Sequence, residues 1–401
     1  MDLHSFTVEN YRAFGRRTEV ELRPLTLLFG HNSSGKSALV RVLPLLAESV
    51  REAGAPLHLS GRVGRGAGWR DLICKGREKA STTVSLGLTF EEPPSGQVSV
   101  RLDILGDLEN RYQYVDEMTL SRGRGGGIAP YMNEVQVFGE PGPSAPPDFN
   151  GPLPASPDSR FSGLFDAMAG LPRAVQWISG LRERPGRDFL LSGSPPRHLE
   201  PDGNNAADIL VRGERGALFE EVGQYFEELG ETLYTAPLAA GRYALELARV
   251  TSPHVRVNIL DTGEGHAQVL PVLVALARAR LGGPPVVTVE QPELHLHTRA
   301  QLALANQLTR TVTMRPESRL LVETHSEVLL TAVQLAVAEE RLRPDQVRIY
   351  WVQAEPDGQT TIVPVELDTL GRPTSPTLIG IFEEPARLGR KLLKARRERS
   401  P

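Results

Sequence analysis

The chain has 401 residues, 40% hydrophobic and 23% charged, a globular composition that excludes a disordered or fibrous protein. With 45 Lys and Arg against 49 Asp and Glu, the net charge of −4 excludes a uniformly basic nucleic-acid binder but leaves room for a local basic patch. The single cysteine, Cys74, excludes an intramolecular disulfide and a cysteine-rich zinc site, and points to a reducing compartment. At roughly 150 residues per domain, two or three domains are expected. Neither a signal-peptide pattern nor an apolar run long enough to span a bilayer is present: the longest, 269–281, is interrupted by Arg278 and Arg280. A cytoplasmic chain with no membrane partner is the expectation.

In chain order, residues 3–9, 17–22 and 25–29 read as strands, with Val20, Leu22, Leu25, Leu27, Leu28 and Phe29 supplying apolar content. A Gly- and Ser-containing loop from Gly30 to Ser37 follows, then one helical face of Leu39, Val42, Leu43, Leu46 and Val50. Residues 53–70 read as an exposed connection. Alternating Val84, Leu86, Leu88 and Phe90, then Val98, Val100, Leu102 and Ile104, predict antiparallel strands, continued at 112–120 and 135–138. The Pro-dense stretch 141–158 reads as a surface loop or linker. Helical patterns are expected at 161–179 and 205–230, the second capped by Asn204 or Asn205. From 266 onward helices (266–281, 298–313, 326–341) alternate with strands (285–290, 319–323, 346–353), the pattern of a mostly parallel sheet. Residues 387–399 read as a basic helix, fit for DNA, an acidic partner surface or plain solvent.

Gly30-His31-Asn32-Ser33-Ser34-Gly35-Lys36-Ser37 fits the phosphate-loop pattern G-x-x-x-x-G-K-[ST] between a strand and a helix. Gly30 and Gly35 let backbone N–H groups wrap phosphate, the helix N-terminus adds its dipole, Lys36 reaches the β- and γ-phosphates, and the Ser37 hydroxyl ligates Mg²⁺. Far downstream, Val286-Val287-Thr288-Val289-Glu290 is a β-branched run ending in an acid suited to the same Mg²⁺. Leu320-Leu321-Val322-Glu323-Thr324-His325-Ser326 is a second strand ending in a histidine suited to the γ-phosphate or its attacking water. The ordered set is more specific than any of its members.

This set resembles the ABC-type ATPase heads of the RecF, SMC and overcoming-lysogenization-defect (OLD) group. Asn10-Tyr11-Arg12-Ala13-Phe14 is similar to the element that opens those heads, and Asn32 stands at their preferred position in the loop. Glu290-Gln291-Pro292-Glu293-Leu294-His295-Leu296-His297 looks like the extended Walker B segment of OLD-like ATPases, and Thr324-His325-Ser326 like their switch histidine. The stretches 180–187 and 365–368 fit the same subgroup.

The resemblance implies an α/β P-loop NTPase: one ABC-type head with an antiparallel β-subdomain and a mixed α insertion. Its parts would be 1–120 (phosphate loop and β-subdomain), 121–244 (insertion), 245–353 (signature, Walker B, switch histidine) and 354–401 (small extension). ATP and Mg²⁺ are the implied cofactors, with Gly30, Asn32, Ser33, Ser34, Gly35, Lys36, Ser37 and Ala38 on the nucleotide and Ser37 and Glu290 on the metal. A homodimer or higher homo-oligomer would sandwich ATP between this loop and a signature motif of the other copy, here residues 260–268, through Gly263, Gly265 and Gln268. Ala267 stands where relatives carry Ser. The catalytic set would be Glu290, Gln291, Glu293 and His325. Where ABC heads carry Asp-Glu this chain reads Glu290-Gln291, and since Gln cannot accept a proton, either Glu293 is the base or hydrolysis is slow. No Q-loop Gln is placed; Trp69-Arg70-Asp71-Leu72 occupies that region. His295 and His297 read as part of a dimer-facing loop, not a metal cluster, and Arg182, Arg184 and Arg187 as phosphate or DNA contacts or a salt-bridged face. The implied function is an ATPase switch of a prokaryotic anti-phage defence or DNA-maintenance system, controlling a separate effector such as a nuclease. The alternatives are a non-hydrolysing ATP-gated scaffold and a RecF-like DNA-repair clamp, for which DNA is the partner.

Overall fold

The computed structural model describes the chain except residues 76–81, 93–95, 108–111, 124–132, 139–148, 192–195, 197, 213–215, 376–389, 393 and 395–401, and without the side chains of 133–138. Its centre is a six-stranded sheet in the order Val175–Ile178, Val286–Glu290, Arg319–Thr324, Leu25–Gly30, Val347–Ala354, Thr360–Val365. The first five strands run parallel and the last is antiparallel. Alternate residues of each strand enter two different cores. Leu25, Leu27, Phe29, Leu320, Val322, Val347 and Ile349 join one, built with the helices Glu264–Arg280, Thr298–Met314 and Glu327–Ala338. Leu28, Leu321, Tyr350 and Val352 join the other. That second core reaches a six-stranded antiparallel sheet in which the strand Asp2–Glu9 lies between Thr18–Glu21 and Thr83–Glu92, followed outward by Gly96–Gly106, Gln113–Gly123 and Asn133–Phe138. Burial on both faces is why the central strands read as near-continuous apolar runs, whereas the outer strands alternate.

Several elements differ from their sequence patterns. The helix after the phosphate loop is two, Lys36–Val40 and Val42–Glu52, broken at Arg41. Pro44 has no N–H for the Val40 carbonyl, and it stands in the first turn of the new helix, where that N–H is not needed. The helix expected over 161–179 ends at Ala174; Val175–Ile178 is the edge strand of the central sheet, paired with Val286–Val289. The pattern over 205–230 resolves into Ala206–Arg212 and Ala217–Glu228. Asn205 leads the first of these, but its side chain turns back to the Glu200 N–H and the His198 carbonyl instead of capping the helix. The antiparallel sheet formed by Phe189–Leu190, Arg242–Arg249, Glu231–Pro237 and Val257–Asn258 was not expected, and the boundary anticipated at 244 falls inside one of its strands. Residues 139–148 of the Pro-dense stretch and most of the basic segment 387–399 lie outside the described residues.

Candidate functional site

The phosphate loop leaves the C-terminal end of Leu25–Gly30, in the middle of the central sheet. Gly30 has φ 156°, and a Cβ there would lie 2.1 Å from the Val352 carbonyl oxygen, so only glycine lets the loop depart so close to the neighbouring strand. At Gly35, φ is 96° and the Cα faces the Phe14 ring, with a Cβ position 3.3 Å from it. The loop therefore rests on the Asn10–Phe14 segment, itself closed by paired Tyr11–Phe14 backbone hydrogen bonds. From the other side Thr360 donates its Oγ1–H to the Ser34 carbonyl (3.0 Å) and its N–H to the Ala13 carbonyl (2.8 Å). His31, Asn32 and Ser33 stay exposed, Ser33 at φ 61°, while Ser34 is buried.

Lys36 is 2% exposed and its Nζ donates to the Gly30 and His31 carbonyls (3.0 and 2.6 Å). Burial lowers its pKa, while the charges of Glu323 and Glu293 pull the other way. The strands Val286–Glu290 and Arg319–Thr324 end beside the loop with Glu290 and Glu323 as register partners, so two carboxylates stand side by side. The short helix Lys36–Val40 separates them chemically. Ser37 Oγ donates to Glu323 Oε1 (3.0 Å). Arg41, four residues on, grips Glu290 with two bonds of 2.6 Å, and Trp177 Nε1 adds a third at 3.0 Å. Burial raises the Glu323 carboxyl above its ordinary value, against the Ser37 bond, with the Glu290 charge adding to the rise.

Glu293 and His325 close the opposite side. Glu293 Oε1 accepts the His325 backbone N–H (2.8 Å), and burial pushes its carboxyl up against that bond and the Arg182 charge. The His325 ring bonds the Gly30 carbonyl, and burial followed by the Lys36 charge lowers its pKa, so the ring is neutral at pH 7. Gln291 turns at φ 42°, its N–H on the Glu323 carbonyl (2.9 Å). The expected Lys36, Ser37, Glu290, Gln291, Glu293 and His325 are thus assembled at the adjacent ends of three parallel strands, where α/β folds place ligands.

Two stretches of the chain match models of ATPase families: residues 1–83 match "AAA ATPase domain", and residues 250–331 match "AAA domain, putative AbiEii toxin, Type IV TA system". Among solved structures, an SMC head bound to the C-terminal winged-helix domain of ScpA aligns with 92% of this chain and 98% of its own, at TM-score 0.54 and 14% identity. The SMC head domain from Thermotoga maritima aligns with 92% of this chain and 100% of its own at TM-score 0.50 and 12% identity. A head with extended coiled coil from Pyrococcus furiosus, bound to the C-terminal domain of ScpA, gives 91%, 96%, 0.54 and 11%. No curated protein matches the chain. The fold is that of an SMC/RecF/OLD-like ABC-type ATPase head.

The segment expected as the signature, 260–268, runs into the helix Glu264–Arg280, with Gly263 as the helix N-cap at φ 115° and open space around it. Gly265 packs on the His295 carbonyl, joining this segment to the one after Glu293. Gln268 departs from expectation. It is buried, and its Nε2 donates to the Arg182 carbonyl (3.1 Å), so its amide serves the interior and not a facing nucleotide. Of the three arginines noted in sequence, Arg187 pairs with Asp261 (2.8 Å) and Arg184 with Glu264, both exposed. Arg182 differs: it is buried and donates to the carbonyls of Ser179, Gln268, Glu290 and Gln291. Burial brings it down to about 10, so it stays charged at neutral pH.

His297 accepts the Ala300 N–H (3.4 Å) as a helix cap, and no cluster of three or more His, Cys, Asp or Glu that could hold a metal occurs among the described residues. Trp69 is buried, its Nε1 on the Thr82 carbonyl, so the 69–72 segment is a packing element. Sequence reasoning missed Arg41, Trp177 and Glu323. An acid two residues before His325, and a cation four after Ser37, were the available signals.

Proposed function

We propose that the chain binds ATP with Mg²⁺ and hydrolyses it slowly, as a switch whose two copies close on the nucleotide and control a separate effector. The observation that carries this reading is the convergence of Lys36, Ser37, two strand-end acids, Glu293 and His325 around one phosphate loop. The buried, unpartnered oxygen of Glu323 beside Ser37 is the kind of donor a hard cation takes, with nucleotide phosphates and water supplying other ligands. Mg²⁺ there would neutralise phosphate charge.

The chain's own groups supply the rest. Lys36, released from the loop carbonyls, would bind phosphate oxygens. Glu293, whose Oε2 has no partner and whose carboxyl is raised by burial, would take the proton of the attacking water, with Gln291 orienting that water and neutral His325 donating to developing charge. Gly263, exposed at a helix N-terminus, would meet the nucleotide of the other copy. SMC heads of the same fold are found with ScpA domains bound, which supports a protein partner here; the pathway read from the sequence is anti-phage defence or DNA maintenance.

One observation favours a non-hydrolysing scaffold: Gln291, which cannot act as a base, fills the usual place of the catalytic acid. Steady-state phosphate release separates the two. Turnover that is lost in Lys36→Ala and in Glu293→Gln supports the hydrolase, and no release above the Lys36→Ala background sinks it. No helix among the described residues is long and apolar enough to cross a membrane.

A further inference from the structure

We infer that Glu323, and not the Walker B acid Glu290, is the carboxylate that shares the divalent cation with Ser37, while Arg41 and Trp177 hold Glu290 as a structural strut. The inference rests on the proposed Mg²⁺-nucleotide site and names which acid completes it.

Ser37 lies in the helix Lys36–Val40 and Arg41 is its C-cap, with the Arg41 N–H on the Ser37 carbonyl (3.2 Å), so the two are one turn apart, about 6 Å along the axis. The strands ending in Glu290 and Glu323 are neighbours, about 4.8 Å apart. The turn from Ser37 to Arg41 therefore spans both strand ends, and each of these two residues meets one acid: Ser37 meets Glu323 and Arg41 meets Glu290. The hydroxyl expected on the metal thus sits on Arg319–Thr324, the strand next to the phosphate-loop strand, and not on the more distant Val286–Glu290.

The two carboxylates are also unequal in what they have left to give. Glu290 accepts two bonds from the Arg41 guanidinium and one from the Trp177 indole, so its charge is neutralised and its lone pairs are engaged in good geometry. Trp177 anchors that arrangement from the edge strand Val175–Ile178, and the Arg41 guanidinium lies 5.9 Å from its ring centre. Withdrawing Glu290 to bind a cation would strand a half-buried guanidinium. Glu323 is only 3% exposed, gives one oxygen to Ser37 and keeps Oε2 without a partner. A buried carboxylate oxygen with no donor is costly unless something positive completes it, and Mg²⁺ next to Ser37 would do so.

The test reads metal-dependent nucleotide binding, not turnover. A fluorescent ADP is titrated onto the full chain with Mg²⁺ and again with EDTA, and Mn²⁺–ADP binding is followed in parallel by electron paramagnetic resonance. Wild type should bind more tightly with Mg²⁺. Glu323→Gln, which keeps the shape and the acceptor for Ser37, should erase at least about tenfold of that difference and weaken the Mn²⁺ signal, with binding in EDTA retained. Glu323→Asp should be intermediate, and Glu290→Gln should keep the Mg²⁺ advantage. Circular dichroism melts check folding of each variant. Loss of the advantage in Glu290→Gln, or its retention in Glu323→Gln, overturns the assignment. A wild type that binds ADP in neither buffer would instead fail the proposed function, and this inference with it.

Discussion

Replacing Arg182 by Met should cut the tie between the helix Glu264–Arg280 and the turn after the strand Val286–Glu290. The guanidinium donates to four carbonyls: Ser179 in the loop after the edge strand, Gln268 in the first turns of that helix, and Glu290 and Gln291 at the end of their strand. Met fills similar volume and keeps the bond from Gln268 Nε2 to the backbone carbonyl at 182, so the loss comprises these four donors and the charge that faces Glu293 and Glu290. At about 1 kcal/mol net each, the variant should lose ~4 kcal/mol of stability. With an unfolding entropy of roughly 2 cal/mol/K per residue, a chain of this length should melt ~5 °C lower. Lys at 182 has too few donors to restore all four contacts and should recover only part of the loss. Differential scanning calorimetry and phosphate release are measured on the same preparations. Turnover should fall further than stability accounts for at assay temperature, because Gln291 and Glu293 hang from the released turn. A Met variant that melts within about 1 °C of wild type and keeps full turnover would refute both the energetic estimate and the coupling role.

Lys36→Ala should weaken nucleotide binding at least about tenfold in a fluorescence titration while leaving the melting curve nearly unchanged, since the hydrogen-bond partners of the ammonium all lie within the loop itself. Glu293→Gln should lower turnover by about a hundredfold or more, the usual range for removing a general base. Because burial raises the Glu293 carboxyl, the acid limb of the wild-type pH–rate profile should lie above the ordinary glutamate range and disappear in that variant. The same group binds its proton more tightly folded than unfolded. Its contribution to stability is therefore full below the unfolded pKa and lost as pH rises through the folded one, which melts against pH can check. Gln291→Glu should raise turnover if the acid at that position limits the rate; an unchanged rate would leave Glu293 as the working base. Trp177→Phe keeps the ring but removes the donor to Glu290, and should cost on the order of 1–2 kcal/mol in denaturant unfolding.

The parts of the site that were legible in sequence are those whose chemistry is local. The phosphate loop carries its glycines, lysine and serine within eight residues, and Glu290 to Glu293 and Thr324 to Ser326 are equally compact. What stayed hidden depends on partners far along the chain: Ser37 and Glu323 are 286 residues apart and Arg41 and Glu290 are 249 apart, so neither pairing leaves a periodic trace. Both acids end apolar strands, and only the register of the sheet decides which faces Ser37. The edge strand Val175–Ile178 was absorbed into the preceding helix because no turn residue separates them and its four residues are too few to show a period of two. Likewise the Glu231–Pro237 and Arg242–Arg249 pair buries only a few large apolar side chains, Leu233, Leu245 and Leu247 among them, and its alternation is diluted by alanine and charge. The break in the helix expected after the loop coincides with a residue visible in the sequence, Pro44, although Pro172 and Pro271 lie inside continuous helices.

The strand that carries the phosphate loop ends at Gly30, yet both of its neighbours in the sheet, Arg319–Thr324 and Val347–Ala354, come some three hundred residues later, and the Thr360 hydroxyl that holds the Ser34 carbonyl comes later still. During synthesis the loop therefore emerges as an unsupported apolar strand with nothing to pair against. Its two ladders can form only when nearly the whole chain has left the ribosome, so acquisition of the nucleotide pocket is a late folding event of high contact order. A chain stopped before Arg319 retains the complete phosphate-loop motif but neither of the strands that pair with it.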